Sequence, residues 1–201
     1  MKKHNYSIIL LCLASLTVTG CATNSPIVGG GNVQYGDAKA VELVTNEFGS
    51  TDLQTIAESM TRSLLQSKVI NERKTRPLVT VADIKNKTSE YIDTVSITDS
   101  IRSQLSKSGS VRFVVSINEM QNQTDEINRQ SQTGLYKKKS AAKLGKMEGA
   151  DFRLEGSISS IVKKSSSIKD VYYKFTLNLI EVESGVLEWS DEKEIRKTSK
   201  R

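Results

Sequence analysis

The sequence predicts a single domain of α/β or α+β class, a mixed sheet partly covered by helices, preceded by a lipoprotein-type export signal and a short flexible tether. Three observations carry this. Apolar residues recur at helical spacing in Leu53, Ile56, Ala57, Met60 and Leu64, and again in Ile97, Ile101 and Leu105. Val171, Tyr173, Phe175, Leu177 and Leu179 alternate with polar residues, the pattern of a half-buried strand. Ser108-Gly109, Ser165-Ser166-Ser167 and Ser184-Gly185 separate such runs as turns. No internal repeat organises the chain, so a barrel of repeated units is not expected.

Taken in order, residues 41–45 read as a first strand. Thr51 offers an amino-terminal cap, with Gln54 in the capping-box position, for the helix bearing the Leu53 to Leu64 stripe. Residues 78–84, LVTVADI, form a strand after Pro77. Ser96 caps a second helix with Asp99 in its first turn, where a carboxylate is favourable. Residues 112–116 return as a strand, and Asn118 begins a polar, weakly amphipathic helix carrying Met120 and Ile127. A further helix is predicted over Ala141, Ala142, Leu144 and Met147, with Gly149 near its end. Phe152, Leu154 and Ile158 mark the next strand, the alternating run follows, and residues 186–189 lead into the last.

The start of the chain has the layout of an export signal. Lys2 and Lys3 precede a short apolar run, residues 8–18, well below the ~20 residues a membrane span needs. Val18-Thr19-Gly20-Cys21 resembles the bacterial lipobox, which implies cleavage before Cys21 and lipidation of its sulfur. Several acyl chains, at ~0.8 kcal/mol per buried methylene, would hold the product on a membrane. Residue 22 is alanine where an aspartate would signal inner-membrane retention, so the same resemblance implies the outer membrane, periplasmic face. Residues 1–20 are then signal and residues 21–39 a lipidated cysteine and tether, with Pro26 and Gly29-Gly30-Gly31 too poor in apolar burial to fold. The glycines lack the Lys-Ser or Lys-Thr of a phosphate loop. Residues 40–201 remain for the domain.

Processing also limits the chemistry. It discards Cys12 and the sole histidine, His4, while lipidation occupies Cys21. No disulfide, thiol nucleophile, histidine triad or histidine-based metal site is expected, so the catalytic, metal and cofactor assignments are all none. Ser140-Ala141-Ala142-Lys143 and Ser166-Ser167-Ile168-Lys169 have the Ser-x-x-Lys spacing of penicillin-binding enzymes, but Ser-Asp-Asn and Lys-Thr-Gly are missing and Lys197-Thr198-Ser199 is an imperfect match. Asp83 with Glu90, and Glu181 with Glu183, have nothing that fixes a cleft between them. A non-enzymatic protein is the expectation. The formal charge of +6 includes a dense basic cluster, Lys137-Lys138-Lys139 with Lys143 and Lys146. It reads either as a solvated helix entrance or as a surface for an acidic partner, anionic lipid or cell-wall polymer. No aromatic-basic nucleic-acid module accompanies it, and no nucleic-acid partner is expected.

Four stretches then carry a family resemblance: residues 77–93 (PLVTVADIKNKTSEYID), 112–120 (RFVVSINEM), 141–161 (AAKLGKMEGADFRLEGSISSI) and 179–195 (LIEVESGVLEWSDEKEI). In this order they resemble the penicillin-binding protein activator LpoB family, from about Ala40 to the end. Asn86-Lys87-Thr88 matches the family's Asn-x-Thr loop, and Gly149-Ala150-Asp151 precedes the strand containing Leu154. The resemblance implies an outer-membrane lipoprotein that touches a class A penicillin-binding protein and stimulates peptidoglycan synthesis. The well-known enterobacterial form has a much longer proline-rich linker. Candidate partner-binding residues are Asn86, Lys87, Thr88, Ser89 and Tyr91, where a strand edge can present amides, hydroxyls and an amphipathic aromatic. A structural turn is the alternative, with Asn86 and Thr88 capping backbone and Tyr91 packed inward. Trp189 alternates with Leu187 and reads as core or half-buried sheet before it reads as a binding hot spot. TVADIKNKTSEY also resembles the curli-secretion lipoprotein family, whose pore role would require membrane strands of roughly nine to eleven residues with a lipid-facing apolar row. Residues 171–182 fit a soluble sheet equally well.

Overall fold

A computed structural model describes residues 36–117 and 119–200 of the chain, in which residues 41–200 form one compact unit. Within residues 36–40, Lys39 N–H donates to the Asp37 carboxylate (2.9 Å) and Ala40 N–H to the Asp37 carbonyl (3.1 Å), closing a small turn. The signal, Cys21, the triple glycine and Asn118 lie outside the described residues.

The architecture is α+β. Helices α1 (Ser50–Gln66), α2 (Lys68–Asn71), α3 (Thr94–Ser108) and α4 (Met120–Gln132) accompany strands β1 (Leu78–Val81), β2 (Lys85–Lys87), β3 (Arg112–Phe113), β4 (Phe152–Lys164), β5 (Ile168–Glu181) and β6 (Leu187–Lys200). One mixed sheet runs β3-β1-β4-β5-β6, with β2 also paired to β4. β1 is parallel to β3 and β4, as a strand-helix-strand crossover through α3 requires, and β4, β5 and β6 form an antiparallel meander.

The one-sided core follows from period two meeting period 3.6. Phe152, Leu154 and Ile158 of β4 and Val171, Tyr173, Phe175, Leu177 and Leu179 of β5 point to one face and are buried. Onto them pack Ile56, Met60 and Leu64 from α1 and Ile97, Ile101 and Leu105 from α3, all buried in the same cluster. Trp189 is half-buried against this core, as its alternation predicts. The other face is polar: Lys174 pairs with Glu192, Tyr172 with Glu194, and Arg196 with Asp170. The outward face of β5 and β6 thus carries polar and charged pairs.

Several elements differ from expectation, each for a local reason. Residues 41–45 are not a strand. Val41, Leu43 and Val44 are exposed, while the Glu42 carboxylate turns to the start of α1, accepting from Ser50 N–H (2.9 Å). Thr51 does not cap α1, because its hydroxyl accepts from Glu42 N–H (2.8 Å) and Ser50 already lies in the helix; Gly49 holds the cap position, and Asp52 rather than Gln54 reaches back to Gly49 N–H (2.9 Å). Asp93, three residues before Ser96, caps α3 by accepting from Val95 and Ser96 N–H, and Gly109, in the left-handed region (φ 69°), ends the helix as the Ser108-Gly109 signal predicts. The strand of residues 78–84 divides, since the chain leaves β1 after Val81, buries Ile84 and returns as β2. β3 keeps only Arg112–Phe113 of the expected five residues. The helix predicted around Ala141 and Leu144 does not form; residues 133–149 are turns and coil, with Gly134 and Gly145 at φ 72° and 73°. Lysines three and four apart repel on a helix face, which opposes that helix at Lys139, Lys143 and Lys146.

Candidate partner-binding loop

β2 and the start of α3 are joined by residues 88–93, and this short connection holds most of the candidate site. Asn86 and Lys87 lie on β2, with Asn86 opposite Ile158 of β4. The sheet thus fixes one end of the loop, and the buried Ile92 with the Asp93 cap fixes the other.

Between these anchors the side chains fold the loop onto itself. Asn86 Oδ1 accepts from Thr88 N–H (2.9 Å), and Asn86 Nδ2 donates to the Glu90 carbonyl (2.8 Å). The Thr88 hydroxyl accepts from Glu90 N–H (3.1 Å) and lies 2.8 Å from Asn86 Oδ1. Short amide and hydroxyl side chains bond backbone two to four residues away in this manner, which is why Asn-x-Thr suits a tight turn. The structural reading of Asn86 and Thr88 is the one the geometry realises.

Tyr91 is different. It is 94% exposed, so it is not packed inward, and it stands between the intermediate Glu90 and the buried Ile92. Lys87 and Ser89 are also exposed. The loop consequently offers an aromatic body, a phenol, an ammonium and a hydroxyl on backbone whose conformation is already determined. Such a surface binds with little ordering cost.

Glu90, which the sequence offered only as half of an acidic pair with Asp83, is the pivot under the loop. Its carboxylate accepts from the buried Tyr173 hydroxyl (2.7 and 2.8 Å) and from Phe48 N–H (3.1 Å). Phe48 meets the Tyr173 ring edge-on, with centroids 5.8 Å apart. Burial, followed by the bond to Glu90, pushes the Tyr173 phenol well above its usual range. A carboxylate so occupied is a structural anchor, not a general base. Nearby, Lys197 Nζ binds the buried Asp52 (3.0 Å) and the Glu47 carbonyl (2.6 Å), tying β6 to the start of α1.

The Ser-x-x-Lys pairs fare likewise. Ser140 Oγ donates to the Lys137 carbonyl (3.2 Å) in a turn, away from any helix that would bring it to Lys143. Ser166 and Ser167 lie in the β4–β5 hairpin connection. Glu181 accepts from Ser184 Oγ (2.6 Å) in the next hairpin.

The family model described as peptidoglycan-synthase activator LpoB matches residues 52–195. A search by sequence against curated proteins finds no match. Among solved structures, the LpoB C-terminal domain from Salmonella enterica is 15% identical, with TM-score 0.44, covering 72% of this chain and 98% of that one. The Escherichia coli LpoB C-terminal domain is 17% identical with the same TM-score and coverage. A PelC dodecamer from Paraburkholderia phytofirmans is 18% identical, with TM-score 0.31, covering 63% of this chain and 73% of that one.

Proposed function

The chain belongs to the peptidoglycan-synthase activator LpoB family, and from that premise we propose that it binds a class A bifunctional penicillin-binding protein and stimulates its synthesis of peptidoglycan without performing bond chemistry itself. The single observation that carries this reading is the family match across residues 52–195, nearly the whole folded unit. The loop geometry supports it, since residues 86–91 combine a self-bonded backbone with an outward aromatic. In this account Tyr91 enters the interface, Lys87 and Ser89 flank it, and Asn86 and Thr88 hold the turn. Activation needs no donated catalytic group. A contact that prefers the active conformation of the synthase raises that conformation's population by the ratio of the two affinities.

We further propose that the protein sits on the periplasmic face of the outer membrane, fastened through Cys21, with residues 21–39 as tether. The basic start, apolar core and Val18-Thr19-Gly20-Cys21 junction support this. Replacing Cys21 with serine should abolish incorporation of labelled lipid and shift the chain out of the membrane fraction. Unchanged labelling would contradict the anchor. The activator role is tested by mixing the protein with class A synthases and lipid-linked precursor while following glycan polymerisation and peptide crosslinking. Acceleration of either reaction is expected; unchanged rates with every class A synthase of the host would reject the reading.

A further inference from the structure

Behind α4 lies a feature the activator loop does not use. Helix α4 buries one residue, Ile127, and that residue stands apart from the main core cluster. The chain after it is folded back: Gln130 Oε1 accepts from Ala142 N–H (3.0 Å), and Ser140 and Ala141 N–H donate to the Lys137 carbonyl (2.9 and 3.0 Å). Arg129, gripped by Glu126 (2.6 and 2.7 Å), lies 4.9 Å from the centre of the Tyr136 ring. Between helix and returning chain opens a groove of about 450 Å³. Tyr136, Ala141, Ala142 and Leu144 supply its apolar lining, and Lys138 and Lys143 its charge.

The charged residues that line this groove, Lys138 and Lys143, are both basic; the nearest carboxylate on α4, Glu126, is occupied by Arg129 and by Gln130 Nε2 (2.6 Å), and Glu148 by Arg112. Lys137, Lys138, Lys139, Lys143 and Lys146 occur with no aspartate or glutamate anywhere from Ile127 to Met147. None of the five makes an ion pair among the described residues. Unpaired like charges beside an apolar concavity are complementary to an acidic ligand that also carries an apolar projection. The chain's own first 35 residues contain no acidic residue and do not meet that description. A flat lipid surface leaves a concavity unfilled, whereas a protruding side chain fills it.

We infer that this groove docks an acidic peptide segment of a protein partner, seating one aliphatic or aromatic side chain between Tyr136 and Leu144 while Lys138 and Lys143 pair with flanking carboxylates. The surface is separate from the loop at residues 86–91, so the inference stands or falls independently of the synthase contact.

The test uses the full chain in phosphatidylcholine nanodiscs and a fluorescein-labelled peptide with a central leucine flanked by glutamates. Saturable binding is expected, weakened about tenfold when the leucine becomes serine and lost when the glutamates become lysines, because charge sets encounter and the buried anchor sets residence. Lys138→Glu with Lys143→Glu, both exposed positions, should abolish binding with an unchanged thermal melt. Ala142→Trp, which fills the groove from a half-buried position, should erase the preference for leucine over serine. Equal binding of the leucine and serine peptides would overturn the inference, as would binding that survives the charge reversals. Loss of peptide binding on exchange of the nanodisc lipid for phosphatidylglycerol would overturn it in favour of an anionic lipid surface.

Discussion

Tyr91 and Tyr173 show how one residue type serves two ends of the same loop. Tyr91 is exposed and free of the core, so Tyr91→Ala should leave stability within about 0.5 kcal/mol of wild type by denaturant titration, as exposed substitutions do. The same change should weaken the proposed synthase complex. Tyr173→Phe removes a hydroxyl that donates to Glu90 and should cost about 1 kcal/mol, since the half-buried carboxylate loses one donor and keeps Phe48 N–H. The pH dependence has a definite sign. The folded-state pKa of Tyr173 is raised, so its contribution is fully present below the ordinary tyrosine value of about 10 and is lost as pH rises toward the folded value. Stability curves should therefore fall above pH ~10 less steeply in Tyr173→Phe than in wild type. The turn was legible in Asn86 and Thr88 because its bonds are local, whereas the outward Tyr91 runs against the inward packing that a structural turn implied. Glu90 was not, because its partner Tyr173 is 83 positions away and no spacing rule reaches that far.

At the scale of elements, the apolar stripes of α1 and α3 and the alternation of β5 were readable because burial obeys the period of the backbone. The caps were not. Thr51, Ser96 and Asp93 are all competent cap residues, and the choice among them rests on Glu42 crossing to α1 and on where Ile92 enters the core. Asp93→Ala should lower the melting temperature, because the amino terminus of α3 loses the acceptor for Val95 and Ser96. Backbone and side-chain bonds from Ser96 hold the Asp93 carboxyl below its ordinary value. Its contribution is thus present above the ordinary carboxylate range and lost as pH falls through the lowered folded value. Wild type and Asp93→Ala should accordingly converge in stability at strongly acid pH. Gly156 supplies a second element-scale prediction. A Cβ there would stand 2.5 Å from the Thr176 carbonyl oxygen of β5, so Gly156→Ala must push adjacent strands apart. A loss of about 1–3 kcal/mol, typical of overpacking, is expected in urea denaturation.

In the whole molecule, a long antiparallel meander is covered by helices on one face and left polar on the other, while β6 closes the sheet with an edge dense in charge. Charged edges resist further strand pairing, so extension of the sheet beyond β6 is disfavoured. The fold class was legible from the sequence because residues 152–200 alternate so regularly. The region after α4 was not, since a lysine-rich, glycine-broken stretch has too weak a pattern to specify a helix or a groove. The family supplies the activator reading, and the self-bonded loop at residues 86–91 is the surface proposed to carry it. The most direct test is a titration of the protein against its class A synthase in which complex formation and glycan polymerisation are followed in the same samples. The account predicts that both saturate together and that Tyr91→Ala shifts both to higher concentration by the same factor. A rate increase without a complex, or a saturated complex with an unchanged rate, would contradict it.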